Sequence, residues 1–139
     1  MKRRSKARAL ALQILYAWEM RDGEGLREVG ESQLTGSEAG AETQVYARRL
    51  LGALDERRVE IDALLAESTT HWELHRLSVV DRNVLRLAAC ELLAFPEIPF
   101  RVVIDEAVNL ARRYGGDDSP RFVNGVLDAL RLRLQGASA

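Results

Sequence analysis

The sequence contains a single cysteine, Cys90, among its 139 residues. One cysteine excludes an internal disulfide and fits a reducing compartment such as the cytoplasm. The chain also has only two histidines and three prolines, and aromatic residues make up 6% of it. No apolar run reaches the roughly 20 residues that a membrane-spanning helix needs. We therefore expect a cytoplasmic protein without structural disulfides and without a transmembrane segment.

The N-terminus resembles a secretory signal only superficially. Basic residues precede an apolar stretch from Ala9 to Trp18, but Gln13 interrupts this stretch and Arg8 directly precedes it. The stretch runs into charged residues without a small-x-small cleavage site. We therefore predict that this segment is a permanent helix of the protein.

Charge is segregated along the chain, although the net charge is only -1. Residues 1–8 contain no acid and carry a local charge of +5, whereas residues 19–42 carry a local charge of -5. The cations of this basic arm are Lys2, Arg3, Arg4, Lys6 and Arg8. Such an arm is typical of a surface that binds a phosphate backbone. A solvated terminus has the same composition, so charge alone leaves both interpretations open.

Helical periodicity runs through the whole sequence. Apolar stripes predict a helix at about residues 5–20, a long helix at about 42–67 and three more in the second half. The glycine-rich segment 22–41 has room for at most one short helix near 26–34. No stretch alternates as a strand would.

These patterns predict an all-α protein. We expect about six to seven helices in a compact bundle with two helical subdomains, residues 1–70 and 71–139.

Local signals mark the helix boundaries of the second half. Ser78 followed by Asp81 is typical of an N-cap, and the helix that begins there must end before Pro96. Glycines 115 and 116 predict a left-handed helix stop, and Ser119 begins the last helix.

Candidates for catalysis or metal binding are few. His71 and His75 are four residues apart, but no glutamate follows His71 and no third ligand is evident. Cys90 lies among apolar residues, where a buried small side chain is the usual role. Asp105, Glu106 and Glu91 could act as paired carboxylates, but acids on helices are mostly solvated or ion-paired at the surface. We predict neither an enzyme nor a bound metal or cofactor.

Two aromatic residues, Tyr16 and Phe122, fall outside the apolar stripes of their helices. Most tyrosines and phenylalanines in such positions seal the edge of a core. Beside a basic arm they also suit single-stranded RNA, because bases stack on aromatic rings while cations follow the phosphates. The residues alone favour the core-edge interpretation.

Three runs of the sequence share their order and spacing with one known family. They are SVVDRNVLRLAACEL at 78–92, VIDEAVNLA at 103–111 and FVNGVLD at 122–128. With the Leu15-Tyr-Ala-Trp18 segment of the first helix, they resemble the NusB family over essentially the whole chain. The acidic segment 22–41 departs most from the family pattern.

The resemblance implies a non-enzymatic factor of transcription antitermination with two helical subdomains. Proteins of this family bind the boxA element of nascent leader RNA, notably in ribosomal RNA operons, together with the small-subunit ribosomal protein that acts as NusE. The complex helps RNA polymerase to read through terminators. The implied partners are therefore single-stranded boxA RNA, NusE and, indirectly, the transcribing polymerase.

The resemblance also implies roles for individual residues. Its positions for the RNA surface are Arg4, Lys6, Arg8, Tyr16, Asp118, Arg121 and Phe122. For the NusE contact it suggests Asp81 and Arg82, at the start of the fourth helix. Asn124 and Gly125 are expected to shape helix packing, with the glycine permitting a close approach.

Three other interpretations stay open. A similar domain forms the N-terminal part of some ribosomal RNA cytosine methyltransferases, although we expect no catalytic domain here. A protein-interaction module, including a homodimer, would use the same apolar stripes. A DNA-binding helix-turn-helix factor is the third, but the last helix lacks the usual base-reading side chains on its exposed face.

Overall fold

The computed structural model describes residues 2–69 and 73–138. This part of the chain consists of helices and turns without strands. The helices are α1 (Arg3–Met20), α2 (Leu26–Thr35), α3 (Ala41–Ser68), a 3₁₀ turn (Leu74–Arg76), α4 (Val79–Ala94), α5 (Phe100–Tyr114) and α6 (Ser119–Ser138). The all-α class and the expected number of helices are confirmed.

Local sequence explains several boundaries. The backbone N–H of Asp81 donates to Ser78 Oγ at 3.1 Å, so the predicted N-cap of α4 is present. α4 ends at Ala94, two residues before Pro96. α2 is the short helix that the glycine-rich segment has room for.

Two expectations about glycines are wrong. Gly115 ends α5 in an extended conformation, with φ -95° and ψ -169°, and not in a left-handed one. A Cβ at Gly115 would lie 2.6 Å from Ser119 Oγ and 2.8 Å from the carbonyl oxygen of Ala111, so close approach and not backbone conformation requires glycine there. Gly125 is exposed, and a Cβ there would meet no atom within 4 Å.

α4 lies at the centre of the bundle. It packs against α1, α3, α5 and α6, while α2 packs on α1 and α3. α1 is antiparallel to α4, because Arg8 contacts Glu91 near the end of α4 and Glu19 contacts Arg82 near its start. α5 turns back along α4 after residues 95–99, so α1 and α5 run in the same direction.

Contacts of α4 with α1 and α3 connect the two halves of the chain. The division into subdomains 1–70 and 71–139 stays a prediction. Cys90 is fully buried, and its burial raises the pKa of the thiol to about 12, as suits a small core residue.

No helix within the described ranges is long and apolar enough to cross a membrane. Within the same ranges, no three potential ligand side chains cluster to hold a metal ion. His71 lies outside the described residues, so its pairing with His75 is not placed.

Candidate nucleic-acid interface

The basic arm begins α1. Lys2, Arg3, Arg4 and Lys6 are all exposed. Arg3 forms an ion pair with Glu42 at the start of α3. These four cations are positioned to meet an anion from solution.

Helical spacing continues the exposed face of the arm along α1. Lys2, Lys6, Gln13 and Tyr16 follow one another at intervals of four, seven and three residues, which places them on one side of a helix. All four are exposed, and Tyr16 is 50% exposed. The tyrosine therefore does not seal the core, and its ring is open to a ligand.

The structure corrects the prediction for Arg8, which is not part of the exposed arm. Its side chain is only 3% exposed, and it forms a two-pronged ion pair with Glu91, with both N···O distances 2.8 Å. A third contact joins Arg8 Nη1 to Glu106 at 3.3 Å. Arg8 lies on the buried face of α1 with Ala7 and Leu15, so its charge is used inside the protein and not in the exposed arm.

The carboxylate of Glu91 also accepts a hydrogen bond from the hydroxyl of Tyr46. Burial, together with this hydrogen bond, raises the pKa of Tyr46 above its usual value, so the hydroxyl remains a donor. The guanidinium carbon of Arg4 lies 5.1 Å from the centre of the Tyr46 ring. The network therefore joins α1, α3 and α4 directly beneath the arm.

Sequence reasoning missed this network. Glu91 is 2% exposed and not a solvated surface acid. One signal was available: an acid inside the apolar run from Leu87 to Leu93 needs a buried partner.

A groove of about 460 Å³ lies between the start of α4 and the corner that joins α5 to α6. Asp81, Asp118 and Phe122 line it. Phe122 is partly buried and packs against the core, and Arg121 beside it is exposed. The structure thus brings together the predicted partner residue Asp81 with two of the predicted RNA residues.

The arm and this groove lie at opposite ends of α4. Arg8 lies level with the end of α4, whereas Glu19 and the groove lie at its start. Between Lys6 and Tyr16, ten residues of helix rise about 15 Å. The exposed face of α1 spans this interval.

The structure also corrects the prediction that Arg82 contacts a protein partner. Its side chain is 12% exposed and lies 2.7 Å from Glu19 Oε1, and it donates to the carbonyl oxygen of Leu77 at 2.8 Å. These contacts fix the end of α1 to the start of α4, so Arg82 is not a free cation for a partner. Asp81 differs: within the described part of the chain, its buried Oδ1 has no hydrogen-bond partner.

Comparisons with known proteins agree on one family. The NusB family model matches residues 5–131. The transcription antitermination protein NusB of Trichlorobacter lovleyi is 41% identical over 127 residues, covering 91% of this chain and 89% of the relative.

Two solved structures are similar over nearly their whole length. NusB of T. maritima has a TM-score of 0.87 at 40% identity, covering 95% of this chain and 92% of that one. A crystal structure of NusB and NusE in complex with double-stranded RNA has a TM-score of 0.85 at 29% identity, covering 96% and 98%.

Proposed function

The chain belongs to the NusB family of transcription antitermination proteins, and on this premise we propose that it holds RNA and the protein partner NusE together. The family resemblance and the non-enzymatic character predicted from the sequence are confirmed. We further propose that the RNA is the single-stranded boxA element of nascent ribosomal RNA leaders. The protein then acts in the cytoplasm and reaches RNA polymerase indirectly.

The observation that carries the RNA proposal is the exposed face of α1. Four exposed cations begin the helix, and the half-exposed ring of Tyr16 lies about 15 Å further along the same helix. Cations neutralise phosphates without reading sequence, while unstacked bases of a single strand lie on aromatic rings. One strand that follows α1 meets both kinds of group.

The groove at the start of α4 supports a second contact at the far end of that strand. Phe122 offers an aromatic edge there, and Arg121 an exposed cation. Asp118 is a carboxylate that accepts hydrogen bonds from the amino groups of bases. We propose that Phe122, Arg121 and Asp118 form the distal part of the RNA surface.

We place NusE beside this groove, on Asp81. Asp81 lines the groove, and its buried Oδ1 has no hydrogen-bond partner in the described part of the chain. A small movement of this side chain would offer the oxygen to a donor from a bound protein and satisfy it. RNA and NusE then share one edge of the bundle, so each helps to order the other. The mechanism is tethering, in which no covalent bond is made or broken.

The test is fluorescence anisotropy with boxA-like, scrambled and double-stranded RNA, each with and without NusE, across a salt series. We expect weak binding of boxA RNA alone and tighter, selective binding with NusE. The four arm cations alone contribute about -2.8 to the log-log salt slope for a single strand.

A double variant, Lys2→Gln with Lys6→Gln, should reduce the slope by about 1.4, since two contacts are lost. The matched control is Arg27→Gln with Arg57→Gln, which removes the same charge from exposed positions on α2 and α3. Equal affinity for boxA and scrambled RNA in the presence of NusE would contradict the boxA proposal. Preference for double-stranded RNA, the form in the related complex of NusB and NusE, would show that the RNA ligand is a duplex and not a single strand.

A further inference from the structure

We propose that the C-terminal end of α5 is an additional RNA contact, in which the ring of Tyr114 stacks a base while Arg112 and Arg113 meet phosphates. This inference rests on the proposed function and extends its RNA surface from α1 to a neighbouring helix. None of these three residues belongs to the RNA surface that the family resemblance implies.

Two side-chain contacts, from Ser5 and Arg8 of α1 to Glu106 of α5, set the position of this end of α5 relative to α1. Arg8 Nη1 lies 3.3 Å from Glu106, and Ser5 donates to the same carboxylate. Tyr16 and Tyr114 each follow their member of the Arg8 and Glu106 pair by eight residues, a rise of about 12 Å. Because the two helices run in the same direction, both tyrosines lie at the same level of the bundle.

Helical spacing turns the basic end of α5 toward α1. Glu106, Asn109 and Arg113 follow one another at intervals of three and four residues, so Arg113 lies on the side of α5 that meets Ser5 and Arg8. Arg113 is exposed, as is Arg112. A strand that leaves the exposed face of α1 near Tyr16 therefore passes these cations.

The chemistry of this end suits a nucleotide. Tyr114 is 37% exposed, and the guanidinium carbon of Arg113 lies 5.4 Å from the centre of its ring. Arg112 Nη1 donates to Asn109 Oδ1 at 3.0 Å, which limits the freedom of its side chain. An aromatic ring with adjacent ordered cations is the combination that binds a base and its phosphate.

The corner after α5 holds Tyr114 in a fixed relation to the groove. Gly115 packs so closely on Ser119 that a Cβ would clash. The backbone N–H of Gly116 donates to Ser119 Oγ at 3.0 Å. Tyr114 and Phe122 therefore flank a corner with little freedom to move.

The acids of this corner define the path of the strand. Asp117 and Asp118 are exposed and repel phosphates. The phosphates therefore lie on the side of Arg112 and Arg113, and the acids face the bases.

Arginines at a helix C-terminus also stabilise the helix by interacting with its dipole. The test therefore separates an effect on RNA binding from an effect on folding. We expect Arg112→Gln with Arg113→Gln to reduce the salt slope of boxA RNA binding by about 1.4. Tyr114→Ala should weaken binding by about 5-fold to 150-fold, the range for a lost base stack. Tyr114→Phe retains the ring and should bind as the wild type does.

The control is the Arg27→Gln and Arg57→Gln double variant, which removes the same charge from the α2 and α3 surface. Thermal unfolding followed by circular dichroism identifies any variant that loses its fold. Should Tyr114→Ala unfold, two other variants test the RNA contact. The arginine double variant keeps the helix, and Tyr114→Leu fills the same site without an aromatic ring.

Unchanged RNA affinity and salt slope in both folded variants would overturn the inference while leaving the proposed function intact. Unchanged RNA binding with weakened NusE binding would also overturn it and assign this end of α5 to the protein partner. Failure of the wild type to bind any RNA would refute the proposed function itself.

Discussion

Lys6 and Arg8 lie two positions apart on α1, yet their side chains meet opposite environments. Lys6 is exposed, whereas Arg8 is buried against Glu91. We expect Arg8→Gln to lower the free energy of unfolding by about 3–5 kcal/mol, because Glu91 would keep a buried charge without its partner. Urea unfolding measures this loss.

Lys6→Gln is the matched change for Arg8→Gln. It should leave the free energy of unfolding within about 0.5 kcal/mol of the wild type and reduce the RNA salt slope by about 0.7. If Arg8→Gln were as stable as the wild type and reduced the slope in the same way, the buried role of Arg8 would be refuted.

The sequence predicts that the arm is exposed, but it does not predict which of its cations is buried. Charged residues at the start of a helix are usually solvated, and four of the five arm cations are exposed. Arg8 could not be recognised as the exception from local sequence, since its partner Glu91 lies 83 positions away. Arg82 is similar, because Glu19 is 63 positions away.

At the scale of elements, replacing two glycines of the α5 and α6 region with alanine should change stability in opposite directions. Gly115→Ala should lower the free energy of unfolding by about 1–3 kcal/mol, because its Cβ would clash with Ser119 and the Ala111 carbonyl group. Gly125→Ala should raise it by up to about 1 kcal/mol, because alanine favours a helix and meets no neighbour. Thermal unfolding of both variants tests the pair, and equal effects would contradict it.

The ion pair between Arg3 and Glu42 joins the arm to the start of α3. Glu42→Gln should raise RNA affinity by at most about fivefold, since it frees Arg3 from a pair whose exposed setting makes it worth about 0–1 kcal/mol. Glu56→Gln, the same charge change at an exposed position of α3, is the control for anisotropy measurements. A weaker affinity in the Glu42 variant would show that the pair orders the arm for RNA.

Helices were predictable from the sequence, and the corner between helices was not. Apolar periodicity placed α3 within one residue of its observed ends, and the Ser78 cap placed the start of α4. Both signals are local. Gly115 is required by contact with Ser119 in the next helix, and such a contact depends on how two elements pack.

At the scale of the whole molecule, one buried and one partly buried ion pair cross the predicted subdomain boundary. Arg8 binds Glu91, and Arg86 binds Asp62, so each pair joins residues from both halves of the chain. We expect one cooperative unfolding transition, with coincident curves from circular dichroism and tryptophan fluorescence. Two separated transitions would show that the halves unfold independently.

The arm and the Phe122 groove are held apart by a rigid bundle. An oligonucleotide that engages only one of them gains the binding energy of that contact alone. Once it is long enough to bridge the interval, the second contact becomes intramolecular and the affinity rises steeply. We therefore expect the affinity for RNA to depend on the length of the oligonucleotide as well as on its sequence.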